Sequence, residues 1–387
     1  MPSRNPPRLS TFREANVTMN YADFKRHVHT LLNDTAVSDN ELEVRAREHL
    51  SRVLDDPLVA PYNKLPWNID TSKNLISANF STKRAFEAMY TTAADLGLET
   101  GGRYVSACIC ACALPSRLGP SLPILPIEVV TQAKMMSVLA CDIWLARMWR
   151  CLPELRPQEL RVMSLSSVSH ETRRIVLRRD DYTCFKTGKV DQSAPRSMIS
   201  LSTQTASLQV VPICNPSLPE HWLLREWTID FFRFYLGVDV TAIQLDSPRN
   251  CLLLDRMASK AFTGHYWTLR PTEVVNRYRV ADSTVGKVFG TNARNGDYIT
   301  FEDCTEAAQS PPAAASGLDY YFKAVDGFWS LFGLSRRNHD SAIEDRILPC
   351  RDALLIHAAC TSFLHQCGIV CSPAEFIMPP GFFFDEY

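Results

Sequence analysis

The side chains that could form a reaction centre lie in three short segments, residues 179–188, 208–213 and 246–263. The third segment places Ser259 and Thr263 four residues apart, a spacing that puts both side chains on one face of a helix. Metal-ion catalysis needs ligands in a fixed geometry, but neutral hydroxyls bind metals weakly beside imidazole or carboxylate groups. These two hydroxyls share a helix face but would not by themselves hold a metal ion.

In order and spacing, the three segments resemble the HNH nuclease domain, in the version abundant in large fungal families. That version usually reads R-D-x-x-x-C-x-x-T-G, then L-x-x-A-H-I, then N-G-L-L-L-x-x-x-x-H-x-x-F-D. The first motif is intact at residues 179–188, whereas Pro212 stands where the first His belongs. Asn250 is retained, but Ser259 replaces the last His and Thr263 the final Asp.

The resemblance implies a ββα-metal fold, in which a strand hairpin packs on a helix and grips one divalent ion against a phosphodiester. In such a site the first His is the general base, the Asn orients the loop or the base, and the helix supplies metal ligands. With vestigial positions at Val211, Pro212, Ser259 and Thr263, only Asn250 of the catalytic set remains. The resemblance therefore predicts a pseudoenzyme, and the substitutions argue against enzymatic activity.

A shifted ligand set is the alternative that would keep the protein active. Asp255 and His265 flank the predicted helix and could hold a divalent ion, such as Mg²⁺ or Zn²⁺, near Asn250. Such a site still lacks a base at Pro212. The sequence otherwise predicts no metal or cofactor, because the cysteines at residues 108–112 alternate at i, i+2 and point to different helix faces, and no paired CxxC motif is present.

Five cations near the motifs could bind the phosphates of DNA or another nucleic acid. They are Arg178, Arg179, Lys186, Arg249 and Lys260. The competing interpretation is a solvated surface offset by nearby carboxylates. A protein partner is the other possibility.

Composition limits the class of protein. The 387 residues are 46% hydrophobic, enough for a sizeable core, and the net charge of −1 means that nucleic-acid binding would need a local patch. The 13 cysteines form an odd set with no apolar leader before them, which predicts reduced thiols and an intracellular protein of cytoplasm or nucleus, not a secreted one. The most apolar stretch, residues 135–152, contains Asp142, Arg147 and Arg150, so no membrane span is predicted.

The helix and strand signals along the chain, together with the resemblance, predict an α+β fold. It has a helical N-terminal region, a central ββα-metal (HNH-like) core and a mixed C-terminal region ending in a helix. The predicted divisions are a disordered tail at 1–20, a helical region at 21–165, an HNH nuclease-like domain at 170–270, and an α+β region at 271–387 with a linker near 310–317. Predicted helices follow Ser38 and cover residues 82–96, 102–114, 127–151, 172–179, 219–236 and 348–365, with another carrying Ser259. Predicted strands cover residues 207–213, 252–254, 278–280 and 297–301.

Three functions remain open on this basis. The first is a degenerate HNH-like protein whose scaffold binds nucleic acid or a protein. The second is an active metal-dependent DNA endonuclease with a shifted ligand set. The third is a protein-interaction module that binds no nucleic acid.

Overall fold

The computed structural model describes residues 21–63, 80–113, 126–145, 168–214, 222–282, 293–301 and 348–369. The predicted tail at 1–20 and the linker near 310–317 lie outside these ranges. The described part of the chain is mixed α+β, as predicted.

The helices are α1 (Tyr21–Asn33), α2 (Asp39–Leu54), α3 (Thr82–Leu96), α4 (Gly101–Cys112), α5 (Pro126–Ser137, continued by the π-helix Val138–Leu145), α6 (His170–Arg179), α7 (Trp222–Leu236), α8 (Arg256–Thr263) and α9 (Arg351–Gln366). The strands are β1 (Val190–Asp191), β2 (Thr205–Ala206), β3 (Gln209–Pro212), β4 (Cys251–Leu254), β5 (Trp267–Pro271), β6 (Arg277–Asp282) and β7 (Tyr298–Thr300).

Capping residues in the sequence fix the ends of the N-terminal helices. The Ser38 hydroxyl accepts a hydrogen bond from the Glu41 amide at the start of α2, as the capping-box pattern predicts. Ser81 caps α3 in the same way, through the amide of Arg84. At the other end of α3, Gly97 takes a left-handed conformation (φ 63°), which ends the helix where the sequence predicts.

The strands form three small sheets. β1 pairs with β2 in parallel, β3 with β4 antiparallel, and β5, β6 and β7 form an antiparallel sheet in that order. The strands β1, β2 and β5 were not predicted. All five residues of β5 pair with β6. The five residues of β5 alone are too short a stretch to show a strand pattern, so this pairing could not be predicted from them.

The last helix, α9, is the centre of the structure. Every residue from 353 to 364 is buried, and the helix packs on α3 and on β5. The Arg84 guanidinium donates to the carbonyl of Gln366, and the Cys350 amide donates to the carbonyl of Arg249. A segment near the C-terminal end of the described chain thus joins α3 to the residues that lead into β4. No helix within the described ranges has both the length and the apolarity needed to cross a membrane.

Candidate functional site

The motif residues come together in a pair of antiparallel strands packed on a helix. β3 and β4 pair so that Val211 lies opposite Leu252 and Pro212 opposite Cys251. Helix α8 begins directly after β4 and packs against both strands. The two strands and the helix carrying Ser259 therefore lie where the sequence predicts them, and Val211 and Ser259 belong to one compact unit.

Asn250 lies at the end of this strand pair where the chain leaves β3 and enters β4. Its side chain is 1% exposed; Nδ2 donates to the carbonyl of Cys214 at 2.7 Å and to that of Leu245 at 3.2 Å. Its Oδ1 accepts from the Cys214 amide at 3.1 Å, and its own carbonyl accepts from the Ile213 amide at 2.7 Å. Both polar atoms of the amide are thus occupied by backbone groups.

The positions of the expected base and metal ligands carry groups with other roles. Pro212 ends β3 and has no titratable atom. Ser259 and Thr263 are both 7% exposed, and the Thr263 hydroxyl donates to the Ser259 carbonyl one turn earlier, at 3.0 Å. That hydroxyl is therefore satisfied within its own helix.

Asp255, an alternative metal ligand, is a helix cap. Its Oδ1 accepts from the amides of Met257 and Ala258, both at 2.8 Å, and its Oδ2 lies 3.0 Å from Lys189 Nζ. Burial opposes its ionisation, but the Ala258 amide and the Lys189 ammonium outweigh burial and hold the pKa of Asp255 below its ordinary value. Both oxygens of the Asp255 carboxylate are therefore used, one by the first amides of α8 and the other by Lys189.

His265, the other alternative ligand, packs against α9. Its Nδ1 lies 2.6 Å from the Thr361 hydroxyl, and its ring stacks on His357 with centroids 4.8 Å apart. Burial, with smaller effects from His357 and His365, lowers the pKa of His265 well below its ordinary value. Across the described ranges, no three His, Cys, Asp or Glu side chains group closely enough to hold a metal ion.

Two of the five predicted phosphate-binding cations are buried, which corrects that part of the prediction. Arg179 forms a two-pronged ion pair with Asp180, at 2.6 and 2.7 Å. Lys186 Nζ lies 3.0 Å from an Asp282 carboxylate oxygen and 5.2 Å from the centre of the Trp267 ring. Both cations are neutralised inside the molecule, because a buried charge is tolerated only with a partner.

The other three predicted cations, Arg178, Arg249 and Lys260, are exposed. Arg256, a fourth exposed cation, lies one turn before Lys260 on α8. Its position within the third motif segment is the sequence signal that could have identified it. The contacts of His265 with α9 had no sequence signal, because they join residues about 90–100 positions apart.

Replacing Asn250 with alanine is expected to lower the free energy of unfolding by about 2–3 kcal/mol, because the buried amide and carbonyl of Cys214 lose their partner. Ser259→Ala is the matched control. The Ser259 hydroxyl has no hydrogen-bond partner among the described residues, and alanine favours a helix, so we expect a change within about 0.5 kcal/mol. Urea unfolding measures both variants. If Ser259→Ala proved the more damaging, the structural role assigned to Asn250 would be wrong.

Comparison of the chain with protein-family models, with curated proteins and with solved structures gives no match.

Proposed function

We propose that this protein is a catalytically inactive, HNH-like ββα protein that binds nucleic acid. The observation that carries the proposal is the state of the motif residues: Asn250 binds backbone groups, and Pro212 offers no base. Loss of the base and of the ligands together removes more than one member of a cooperative catalytic unit, which leaves little residual activity. The shifted metal site is disfavoured, because Asp255 and His265 are engaged with other groups.

Uncompensated charge supports nucleic acid as the partner. The four exposed cations are Arg178, Arg249, Arg256 and Lys260, none of which forms an ion pair with a described residue. Nearby carboxylates are paired with different cations: Glu171 with Arg174, Asp180 with Arg179, Asp191 with Arg173, and Asp255 with Lys189. Two further acidic residues near the motif, Asp181 and Asp246, are exposed and form no ion pair with a described residue. The four unpaired cations outnumber these two carboxylates, and this local excess favours a phosphate-binding surface over a neutral solvated one.

Purified protein is expected to leave plasmid DNA uncut with Mg²⁺, Mn²⁺, Ni²⁺ or Zn²⁺, because no group at Pro212 can take a proton from water. Gel analysis after long incubation measures this. Metal-dependent nicking that disappears in Asn250→Ala or His265→Ala would contradict the proposal and establish a shifted site.

Binding tests the other half of the proposal. The variant R178Q/R249Q/R256Q/K260Q is expected to bind duplex DNA more weakly and with a smaller salt dependence, by about 0.9 in log–log slope for each phosphate that the variant no longer neutralises. Its control, R26Q/R45Q/R225Q/R233Q, removes the same charge from exposed positions of α1, α2 and α7. If both variants lost the same affinity for duplex DNA, or neither lost any, the four ββα cations would not be the nucleic-acid-binding surface.

A further inference from the structure

One face of the β5–β6–β7 sheet carries three arginines and a tyrosine. The register places Arg270 opposite Arg279, and Arg279 opposite Tyr298. Side chains two residues apart on a strand share a face, so Arg277 lies on the same side as Arg279. We call these four residues the arginine face. The sequence shows the pattern as Arg277-Tyr278-Arg279, whose alternation places the two arginines outward and the buried tyrosine inward.

The arginine face is not neutralised by the described residues. None of its three guanidinium groups has a carboxylate partner there, and Arg270 Nε is buried without a hydrogen-bond partner. Arg270 and Arg279 are also directly opposed on neighbouring strands, where like charges destabilise a sheet. By contrast, Arg26, Arg45 and Arg174 on helices each pair with an acidic residue of the same helix. A pair of opposed arginines that costs stability in the free protein fits an anionic partner, which would neutralise the pair.

The tyrosine adds a stacking surface to the charge. The Arg277 guanidinium lies 4.3 Å from the centre of the Tyr298 ring, and Tyr298 is 53% exposed. An aromatic ring beside planar guanidinium groups is the kind of surface on which unpaired bases stack. Bases in a duplex are already stacked on each other and cannot use such a ring.

We propose that the arginine face binds single-stranded nucleic acid, with the guanidinium groups on phosphates and a base on Tyr298. The inference deepens the proposed function and rests on it for the class of partner, but it uses a different surface from the ββα cations. An anionic lipid surface or a phosphorylated peptide would use the charge and leave the ring without a role.

Fluorescence anisotropy of the full chain with a labelled single-stranded oligonucleotide tests the proposal. R277Q/R279Q is expected to weaken binding at least about tenfold and to reduce the salt slope by about 1.4, since each phosphate on a single strand contributes about 0.7. Y298A is expected to weaken binding about tenfold through lost stacking, whereas Y298F keeps the ring and the affinity. R225Q/R233Q removes the same charge from α7 and should bind like the unchanged protein. The melting temperature of R279Q should be equal or higher, because the variant removes the opposed pair with Arg270.

Several results would overturn the proposal. They are unchanged single-strand binding in R277Q/R279Q, an equal loss in R225Q/R233Q, or no difference between Y298A and Y298F. Binding of anionic phosphatidylserine vesicles or of a phosphoserine peptide that R277Q/R279Q abolishes, without oligonucleotide binding, would also overturn it. A failure of the proposed function would be seen in a different experiment, as duplex binding that R178Q/R249Q/R256Q/K260Q does not weaken. The two failures can therefore be told apart.

Discussion

Replacing Arg179 with alanine is expected to lower the free energy of unfolding by about 3–5 kcal/mol, the usual cost of removing one partner of a buried ion pair. The Arg179 side chain is 1% exposed and that of Asp180 6%. Arg179 also donates to the carbonyls of Pro248 and Cys251, both at 2.9 Å. The carboxylate of Asp180 accepts a further bond from the Leu253 amide at 3.2 Å. The pair therefore fastens the end of α6 to β4 and to the segment that leads into Asn250.

The neighbouring Arg178 provides the control for this prediction. It lies in the same turn of α6 but is exposed, so Arg178→Ala should change stability by less than about 0.5 kcal/mol. Arg179→Lys keeps the charge but cannot reproduce two parallel bonds to Asp180 together with bonds to two carbonyls, and should recover only part of the loss. Urea unfolding compares the three variants. If Arg179→Ala and Arg178→Ala proved equally mild, the R-D motif would have no structural role.

The sequence predicted the local elements well because their signals are local. Ser38 marks the start of α2 and Gly97 the end of α3, through bonds within a few residues. The apolar run 252–254 and the helix carrying Ser259 follow from periodicity in the same way. Strand β5 was missed because its partner β6 and its packing on α9 come from distant parts of the chain.

The roles of charged residues were the least predictable part of the site. Arg178 and Arg179 are adjacent in sequence, yet one is exposed and the other is enclosed by groups from residues 248–251. Lys186 is buried because Asp282, 96 positions away, lies beside it. The resemblance assigns Asn250 to orienting the loop or the base. In the structure its amide bonds to backbone groups of Cys214, because the pairing of β3 with β4 brings these two residues together.

Acid is expected to destabilise the protein through histidines that are buried in their neutral form. The His357 Nε2 donates to the Phe262 carbonyl at 3.1 Å and its Nδ1 lies 2.9 Å from the Thr268 hydroxyl, while His365 Nε2 donates to the His265 carbonyl at 2.6 Å. Burial lowers the pKa of His357 to about 3 and that of His265 well below 6.5. These histidines join the turn after α8 to α9, the central helix.

The direction of the effect follows from the lowered pKa values. Above pH 6.5 these histidines are neutral in both the folded and the unfolded chain, so burying them costs no deprotonation and their contribution to the free energy of unfolding is fully present. As the pH falls below 6.5 only the unfolded chain takes up the protons, and stability is lost until the folded pKa is reached. Between pH 7.5 and 5.0, His357 should lower the free energy of unfolding by roughly 2 kcal/mol, and His265 should add a loss in the same direction.

His357→Gln separates this effect from general acid sensitivity. The glutamine amide can donate and accept hydrogen bonds but does not titrate, so the variant should be less stable than the unchanged protein at pH 7.5. Its loss of stability between pH 7.5 and 5.0 should nevertheless be smaller by about 2 kcal/mol, because one proton-binding site of the unfolded chain is gone. His27→Gln, at an exposed position of α1, should leave the pH dependence unchanged. Urea titrations at pH 7.5, 6.0 and 5.0 measure all three proteins, and parallel pH profiles for His357→Gln and the unchanged protein would show that His357 is not buried as a neutral ring.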